Sequence, residues 1–271
     1  MSQILNHWRA GDGLPDVLVI DGHTHVGEWP THANFNTVEE MAEGSVAFMD
    51  AHGVDAACVL SGGYMWNGAD YALGNDLLID LWHRVPDRLI PFAHVNPNDD
   101  PTAIAAELER VRAAGCRCIK LLNAYQNYPG DGPNLMLLYR FAAEHKMLVL
   151  NHWWTVPELT KISAEFPSVD FICGHYVEAQ NPLLKERANV YANIWNLGSL
   201  GWLERGIREV GPQKFLFGSD AFANPESVGI GPIVYADIPD EHKRMILGLT
   251  QARLLDKVGA LPAGIKEKYG V

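Results

Sequence analysis

The sequence has few cysteines, four in 271 residues, and no long apolar run. Cys58, Cys116, Cys118 and Cys173 all lie in apolar, strand-like segments, where buried free thiols are the usual explanation. A disulfide framework belongs to small secreted domains and is not expected in a chain of this length. No segment is long and apolar enough to cross a membrane, and the N-terminus does not resemble a signal peptide. These absences predict a cytoplasmic protein.

The sequence also lacks a run of basic residues. It has 21 Lys and Arg against 33 Asp and Glu, a formal net charge of −12. This balance argues against nucleic acid or an anionic membrane surface as a partner, so we expect a small-molecule substrate. There is no linker, repeat or low-complexity segment, and we therefore expect a single domain over residues 1–271.

Strand-like segments alternate with amphipathic helical segments along the whole chain. The predicted strands lie at 17–21, 56–60, 88–95, 116–122, 147–152, 169–175, 190–194 and 214–220. Eight such units in about 250 residues predict an α/β fold of the (β/α)8 TIM-barrel type. The alternative, an open doubly wound sheet, would want a glycine-rich phosphate loop after the first strand, and none is present.

Two histidines stand at the end of the first strand, in Asp21-Gly22-His23-Thr24-His25. Side chains alternate along a strand, so His23 and His25 can aim to the same side, as two ligands of one metal ion must. Neutral imidazole suits zinc, manganese or iron. An isolated pair of this kind is equally compatible with two structural histidines and no metal. Ligands from other strands are needed to decide.

Further polar residues end other predicted strands. His152 follows the fifth strand, His175 the sixth and Asp220 the eighth. In a (β/α)8 barrel the chemistry lies at the C-terminal strand ends, which is where all of these residues fall. Their concentration at one end of the barrel indicates a metal site rather than unrelated structural residues.

Five motifs together resemble the amidohydrolase superfamily. They are Asp21 to His25 after strand one, Ile119-Lys120-Leu121 in strand four, Asn151-His152 after strand five, Gly174-His175 after strand six and Phe217-Gly218-Ser219-Asp220 after strand eight. The chain is most similar to the amidohydrolase family 2 branch. That branch includes hydrolases and non-oxidative decarboxylases related to aminocarboxymuconate-semialdehyde decarboxylase.

The resemblance implies that His23, His25 and His152 bind a divalent metal, usually zinc, with Asp220 as a further ligand. It also implies that His175 lies close to the metal-bound water and acts as a base or polarises the substrate. We therefore expect one Zn²⁺, with Mn²⁺ or Fe²⁺ as alternatives, and predict Asp220 and His175 as the catalytic residues. A bound cation lowers the pKa of its water to roughly 7, and a neighbouring carboxylate or imidazole can accept the proton.

Lys120 is predicted to share the interior face of strand four with Cys116 and Cys118. In other amidohydrolase branches a lysine at this strand end is carbamylated and bridges two metals, whereas in this branch it generally is not. We predict one metal and Lys120 as a cation that binds substrate. A bridging role and a simple interior ion pair are the alternatives.

Aromatic residues are frequent in the predicted loops at this end. Trp29, Tyr64, Trp153 and Trp195 are predicted to contact the substrate, whereas others, such as Tyr125, are equally suited to packing loops onto the barrel. Aromatic walls with few polar anchors suit a ring, a lactone or a sugar face. A multiply charged acid would be a poor substrate.

The leading functional prediction is a metal-dependent hydrolase in which a metal-bound hydroxide attacks a small ester, lactone or amide. The first alternative is non-oxidative decarboxylation of a small aromatic or unsaturated acid, with His175 or Asp220 delivering a proton to carbon. A catalytically silent ligand-binding barrel is the second alternative, because a fold does not secure a function. A homodimer is expected, since most soluble oligomers are symmetric assemblies of this kind.

Overall fold

The computed structural model describes residues 2–27, 35, 37–61, 70–195, 201–221 and 225–271. The strands are β1 Ile20–Val26, β2 Ala56–Ser61, β3 Leu89–His94, β4 Cys118–Leu121, β5 Leu148–Asn151, β6 Phe171–Cys173, β7 Val190–Asn193 and β8 Phe215–Leu216. The helices are α1 Gln3–Ala10, α2 Val38–His52, α3 Tyr71–Arg84, α4 Pro101–Ala113, α5 Pro133–His145, α6 Val156–Glu165, α7 Asn181–Glu186, α8 Trp202–Val210, α9 Glu226–Tyr235, α10 Asp240–Arg244, α11 Thr250–Val258 and α12 Ala263–Tyr269. No helix in these ranges is long and apolar enough to span a bilayer.

The eight strands form one parallel sheet in sequence order, each paired with the next. The sheet curls until β1 meets the segment that follows β8. There the Gly22 N–H donates to the Phe217 carbonyl at 3.0 Å, and Thr24 forms an isolated parallel bridge with Ala221. The predicted (β/α)8 barrel is therefore confirmed.

Strand residues alternate between two apolar layers, as the period of two requires. The layer inside the barrel includes Ile20, Cys58, Leu60, Ile90, Phe92, Cys118, Leu148, Leu150, Ile172 and Leu216. The layer between strands and helices includes Val19, Ala57, Val59, Ile119, Leu121, Val149, Phe171, Ala192 and Phe215. This alternation leaves the strand ends free to present polar side chains into the mouth of the barrel.

The prediction that Cys116 shares the interior face of β4 is wrong. Cys118 belongs to the interior layer, but Cys116 packs with Ala93 and with Val111 of α4. The reason is that β4 begins only at Cys118, so the two-residue alternation does not extend back to Cys116.

Two helical regions lie outside the eight strand–helix units. At the N-terminus, α1 begins where the Ser2 hydroxyl accepts the Leu5 N–H. Near the C-terminus, a π-helix, Met245–Leu249, separates α10 from α11. Within it, Gly248 lies against the Leu18 backbone so closely that a β-carbon would overlap the Leu18 carbonyl. The bulge in the helix thus lies where it packs against the base of β1.

Candidate metal centre and active site

β1 brings two imidazoles into the mouth of the barrel. His23 and His25 are both buried, and their ring centroids lie 5.3 Å apart. Between Asp21 and Thr24 the pairing of β1 with β2 shifts by one residue, which is the signature of a β-bulge. The prediction that both histidines aim to one side is confirmed by their shared contact with Asp220.

Asp220 follows β8 and completes a group of three converging donors. Its Oδ1 lies 2.9 Å from the Nε2 of His25 and 3.4 Å from the Nε2 of His23. The ligand atoms of the three residues all lie within 4.8 Å of one another. Asp220 has a left-handed backbone, with φ 61°, and its N–H donates to the His23 carbonyl at 2.9 Å. Three protein ligands with room for another are typical of a catalytic divalent centre.

Lys120 approaches the same group from β4. Its Nζ lies 3.2 Å from the Nε2 of His23, and the side chain is fully buried. Burial lowers the pKa of Lys120 to about 7, although the Asp220 carboxylate opposes this shift. A buried amine at this position contributes positive charge beside the ligand group, but it also has a readily accessible neutral form.

His152 and His175 form the other side of the site, joined through their side chains. The Nε2 of His175 lies 2.8 Å from the Nδ1 of His152, whose Nε2 lies 2.9 Å from the Tyr125 hydroxyl. The indole N–H of Trp195 donates to the Nδ1 of His175. An indole is a donor only, so the proton of His175 belongs on Nε2 and points to His152. Both nitrogens of His152 are thus engaged in this arrangement.

The protonation states suit a cation. Burial, with the nearby charge of Lys120, lowers the pKa of His23 and His152, and it lowers that of His175 to about 3. Burial would raise the pKa of Asp220, but the hydrogen bond and charge of His25 outweigh it and hold that pKa below its usual value. Neutral imidazoles and an ionised carboxylate are the forms that ligate metals, so the donor set fits a divalent ion.

The structure brings some of the predicted site residues together and leaves others apart. His23, His25 and Asp220 converge on one point, whereas His152 and His175 lie beside that group, with ring centroids 6.3 Å and 5.8 Å from that of His23. Their individual roles stay predictions. Trp195 packs edge-on against His175 at 4.7 Å, and Trp153 is 40% exposed. The predicted substrate contacts Trp29 and Tyr64 lie outside the described residues.

The sequence reasoning missed His94, at the end of β3. Its Nε2 lies 3.2 Å from the Ser61 hydroxyl, and its ring packs edge-on against Tyr71. It stands opposite Lys120 in the strand register, and burial lowers its pKa to about 3. The signal that identified the other histidines, a position at a strand end, was present here as well.

Solved structures with the same fold include several enzymes. A 5-carboxyvanillate decarboxylase from Novosphingobium aromaticivorans, complexed with manganese and 4-hydroxy-3-methoxy-5-nitrobenzoic acid, aligns with a TM-score of 0.71 at 16% identity, over 89% of this chain and 96% of that one. A 2,6-dihydroxybenzoate decarboxylase from Rhizobium aligns at 0.69 and 16%, over 89% and 99%. An uncharacterised TIM-barrel protein from Bordetella bronchiseptica aligns at 0.74 and 15%, over 90% and 100%. At these identities the likeness shows the fold alone.

No curated protein matches the sequence. A family model described as Amidohydrolase matches residues 20–257, which is most of the 271-residue chain. The match runs from β1 to α11 and contains all of the predicted ligand and catalytic residues. It confirms both the predicted resemblance and the prediction of an enzyme. The chain therefore belongs to the amidohydrolase family.

Proposed function

We propose that this protein is a metal-dependent, non-oxidative decarboxylase of a small aromatic carboxylic acid. The observation that carries the proposal is the set of flat rings beside the converging ligands: His152 and His175, with Tyr125 and Trp195 packed edge-on against them. Such walls suit a planar ring. The structural similarity to decarboxylases of hydroxylated benzoates supports the same choice over the hydrolase that the sequence favoured.

His23, His25 and Asp220 would hold the metal ion, and His152 is proposed as the fourth ligand, through an Nε2 that would exchange the Tyr125 hydroxyl for the ion. When bound, a divalent cation supplies positive charge that orients and neutralises a substrate carboxylate. We propose Mn²⁺ as the first candidate because a solved decarboxylase of this fold binds manganese, with Zn²⁺ as the second. A donor set of three nitrogens and one oxygen is compatible with both ions.

His175 is the proposed proton donor. In the reaction, the ring carbon that bears the carboxylate gains a proton. The carbon–carbon bond to the carboxylate then breaks, its electron pair returns to the ring, and carbon dioxide leaves. Asp220 is ionised and committed to the ligand group, so it has no proton to give. His175 is neutral without substrate, and the negative charge of a bound carboxylate would favour the protonated ring that gives this proton, which solvent would then restore.

The remaining predicted residues have supporting roles in this proposal. Lys120 supplies a single buried positive charge beside His23, which favours a substrate with one carboxylate over a polyanion. Trp153 and Trp195 are proposed to flank the substrate ring from the loops after β5 and β7. We keep the homodimer as part of the proposal.

Hydrolysis is the second candidate, because one observation favours it. The Asp220 carboxylate is ionised and hydrogen-bonded to His25, an arrangement in which it can accept a proton from an attacking water. This chemistry would hydrolyse esters, lactones or amides. The same residues would hold the metal ion in either case, so the site predicts metal dependence for both reactions.

One experiment separates the two reactions. The protein loaded with Mn²⁺ or Zn²⁺ is incubated with 2,6-dihydroxybenzoate, 5-carboxyvanillate and related acids, and in parallel with aryl esters and lactones. We expect release of carbon dioxide and, in D₂O, one deuterium on the product ring carbon. Acid release from an ester or lactone without carbon dioxide would establish the hydrolase instead. Absence of both reactions across the panel in metal-loaded protein would count against the proposal.

A further inference from the structure

β1 contains an extra residue just before the ligand pair. Asp21 pairs with Ala57 and Thr24 pairs with Val59, so two residues of β1 lie opposite a single residue of β2. This is a β-bulge, which is uncommon between parallel strands. A bulge bends the strand and leaves a backbone N–H without a partner in the ladder.

The bulge decides which way the histidines face. Ile20 lies in the interior layer, so regular alternation would turn His23 outward and Thr24 inward. The extra residue reverses this order. Thr24 instead lines a small cavity on the helix side of the sheet with Met49 of α2, and both His23 and His25 reach the interior.

The Asp21 carboxylate supplies the bonds that the bulge needs. The side chain is fully buried, and its Oδ1 accepts the N–H of His23 at 3.0 Å and the N–H of Ser219 at 3.1 Å. The first bond gives the His23 N–H within the bulge an acceptor. It has the pattern of an Asx turn, in which an aspartate side chain accepts from the backbone two residues ahead. The second bond reaches across the barrel seam to the segment that carries Asp220.

The backbone after β8 depends on that seam. Asp220 adopts a positive φ, which costs a non-glycine residue about 1–2 kcal/mol and persists only with support from its surroundings. The Asp220 N–H donates to the His23 carbonyl, and the Ala221 N–H donates to the Ser219 hydroxyl at 3.0 Å. Asp21 thus contacts both segments that deliver the converging ligands.

We propose that Asp21 is a positioning residue that stabilises the bulge in β1, ties it to Ser219, and thereby aims His23, His25 and Asp220 at one metal ion. Asp21 is not among the three converging donors, and its Oδ1 faces two backbone amides instead. The inference rests on the metal-binding part of the proposed function. Its structural element, the bulge and its two amide bonds, can be measured without metal.

The test compares two substitutions at one position. Asp21→Ala removes the acceptor, whereas Asp21→Asn keeps a carbonyl oxygen that can accept both amides but removes the charge. The matched control is Asp170→Ala. Asp170 is also a buried aspartate, but it precedes β6 at the opposite end of the barrel and accepts from Lys257 at 2.6 Å. Affinity for Mn²⁺ is measured by calorimetry, and amide hydrogen exchange is measured on metal-free protein.

We expect Asp21→Ala to weaken Mn²⁺ binding about 10- to 100-fold, the range for partners that orient a ligand. Asp21→Asn should weaken binding less than Asp21→Ala does, since its carbonyl oxygen still accepts both amides, although a neutral acceptor forms weaker bonds than a carboxylate. Asp170→Ala should keep wild-type affinity while its Tm falls. Exchange over residues 20–26 and 216–221 should accelerate in Asp21→Ala and in neither other variant.

Wild-type affinity and exchange in Asp21→Ala would overturn the proposal. So would an Asp21→Asn variant as weak as Asp21→Ala, because the charge and not the two amide bonds would then matter. If the wild type binds no metal, the proposed function fails on its own, and the exchange data still decide whether Asp21 holds the bulge. Should Asp21→Ala not fold, Asp21→Ser replaces it. Failure of both to fold would assign Asp21 to global stability instead.

Discussion

The two sides of the site are held by different kinds of bonds. On the side of β1 and β8, backbone groups make the connections, including the bonds from Gly22 to Phe217 and from Asp220 to His23. On the side of β5 and β6, the connections run through side chains, from Trp195 to His175 to His152. Backbone bonds within a barrel fix their ligands before an ion arrives, whereas side-chain bonds can be exchanged by rotation. In the proposed function the first side, called the metal side below, supplies three of the ligands, and the second side supplies His152 and the proton donor.

Exposure follows the same division. His23 and His25 are buried, whereas Tyr125, which ends the side-chain series at His152, is 58% exposed. Among the described residues, the side-chain series thus reaches the protein surface, whereas the two histidines of β1 do not. Substitutions on each side and at their junction are therefore expected to change metal binding, turnover and stability in different ways.

The largest effect is expected from His25→Ala, on the metal side. Its Nε2 lies 2.9 Å from Asp220, and its loss removes one of three converging donors. Affinity for Mn²⁺ should fall more than about 100-fold, beyond the range for residues that only orient a ligand, and turnover should be lost with it. Elemental mass spectrometry after dialysis measures the occupancy. His83→Ala, at an exposed position on α3, is the control. Full metal occupancy in His25→Ala would contradict the assignment of His25 to the metal side.

His175→Ala should separate chemistry from metal binding. Because His175 lies beside the three converging donors and not among them, the variant should retain metal while kcat falls about 10²- to 10⁴-fold. Trp195→Phe keeps a ring against His175 but removes the N–H that fixes its tautomer, so its loss should be smaller. Steady-state kinetics and metal content are measured on the same samples. Loss of metal in His175→Ala would place this residue on the metal side instead.

Gly174→Ala probes the junction of the two sides. A β-carbon there would lie 2.9 Å from the Asn151 carbonyl and 3.2 Å from the Cε1 of His23, so the backbone or the ligand ring must shift. We expect the free energy of unfolding to fall by about 1–3 kcal/mol, as for other overpacked sites, with weaker Mn²⁺ binding. Gly264→Ala, where nothing lies within 4 Å, is the control. Unchanged stability and affinity in Gly174→Ala would mean that the two sides do not pack tightly against each other at this residue.

Much of the fold was predictable because it depends on local periodicity. The interior layer repeats every two residues through each strand, and helix starts carry signals such as the capping box of Thr155 and Glu158. Strand ends then located His23, His25 and Asp220, since a barrel gathers its C-terminal ends in one place. These inferences need no knowledge of which strands pair.

The parts that were not predicted depend on neighbours distant in sequence. The bulge in β1 is defined by its pairing with β2, so the sequence from Asp21 to His25 alone does not predict it. The donation from Trp195 to His175 depends on how the residue that follows β7 lies against the residue that follows β6. The π-helix near Gly248 reflects its packing against Leu18. In each case the local sequence is compatible with the regular alternative.

The smallest effect on the site itself is expected from Glu226→Gln, behind the metal side. Glu226 is almost completely buried at the start of α9, and it lines a cavity with Thr24 and Ser45. Burial, with the charge of Asp21, raises the pKa of Glu226 to about 9, and Arg88 opposes the shift. The Nδ1 of His52 also faces it at 3.6 Å. The folded state therefore keeps this carboxyl protonated.

A raised carboxyl pKa makes stability fall as pH rises. The unfolded chain releases the Glu226 proton near pH 4.5 and the folded chain near pH 9, so this group removes up to about 1.4 kcal/mol of stability per pH unit between these values. Asp21, whose pKa burial raises to about 7, adds to the slope only below that pH. Lys120 and Lys214, whose pKa values burial lowers to about 7 and about 8, give a slope of opposite sign above those values in wild type and variant alike, so the difference between the two proteins in urea unfolding at pH 7, 8 and 9 reports Glu226. Relative to wild type, Glu226→Gln should make the slope more positive by up to about 1.4 kcal/mol per pH unit while Mn²⁺ affinity is unchanged, and exposed Glu144→Gln should leave the slope as in wild type. If the variant kept the wild-type slope, Glu226 would be ionised in the folded barrel. A buried carboxylate, and not a protonated carboxyl group, would then lie behind the metal side.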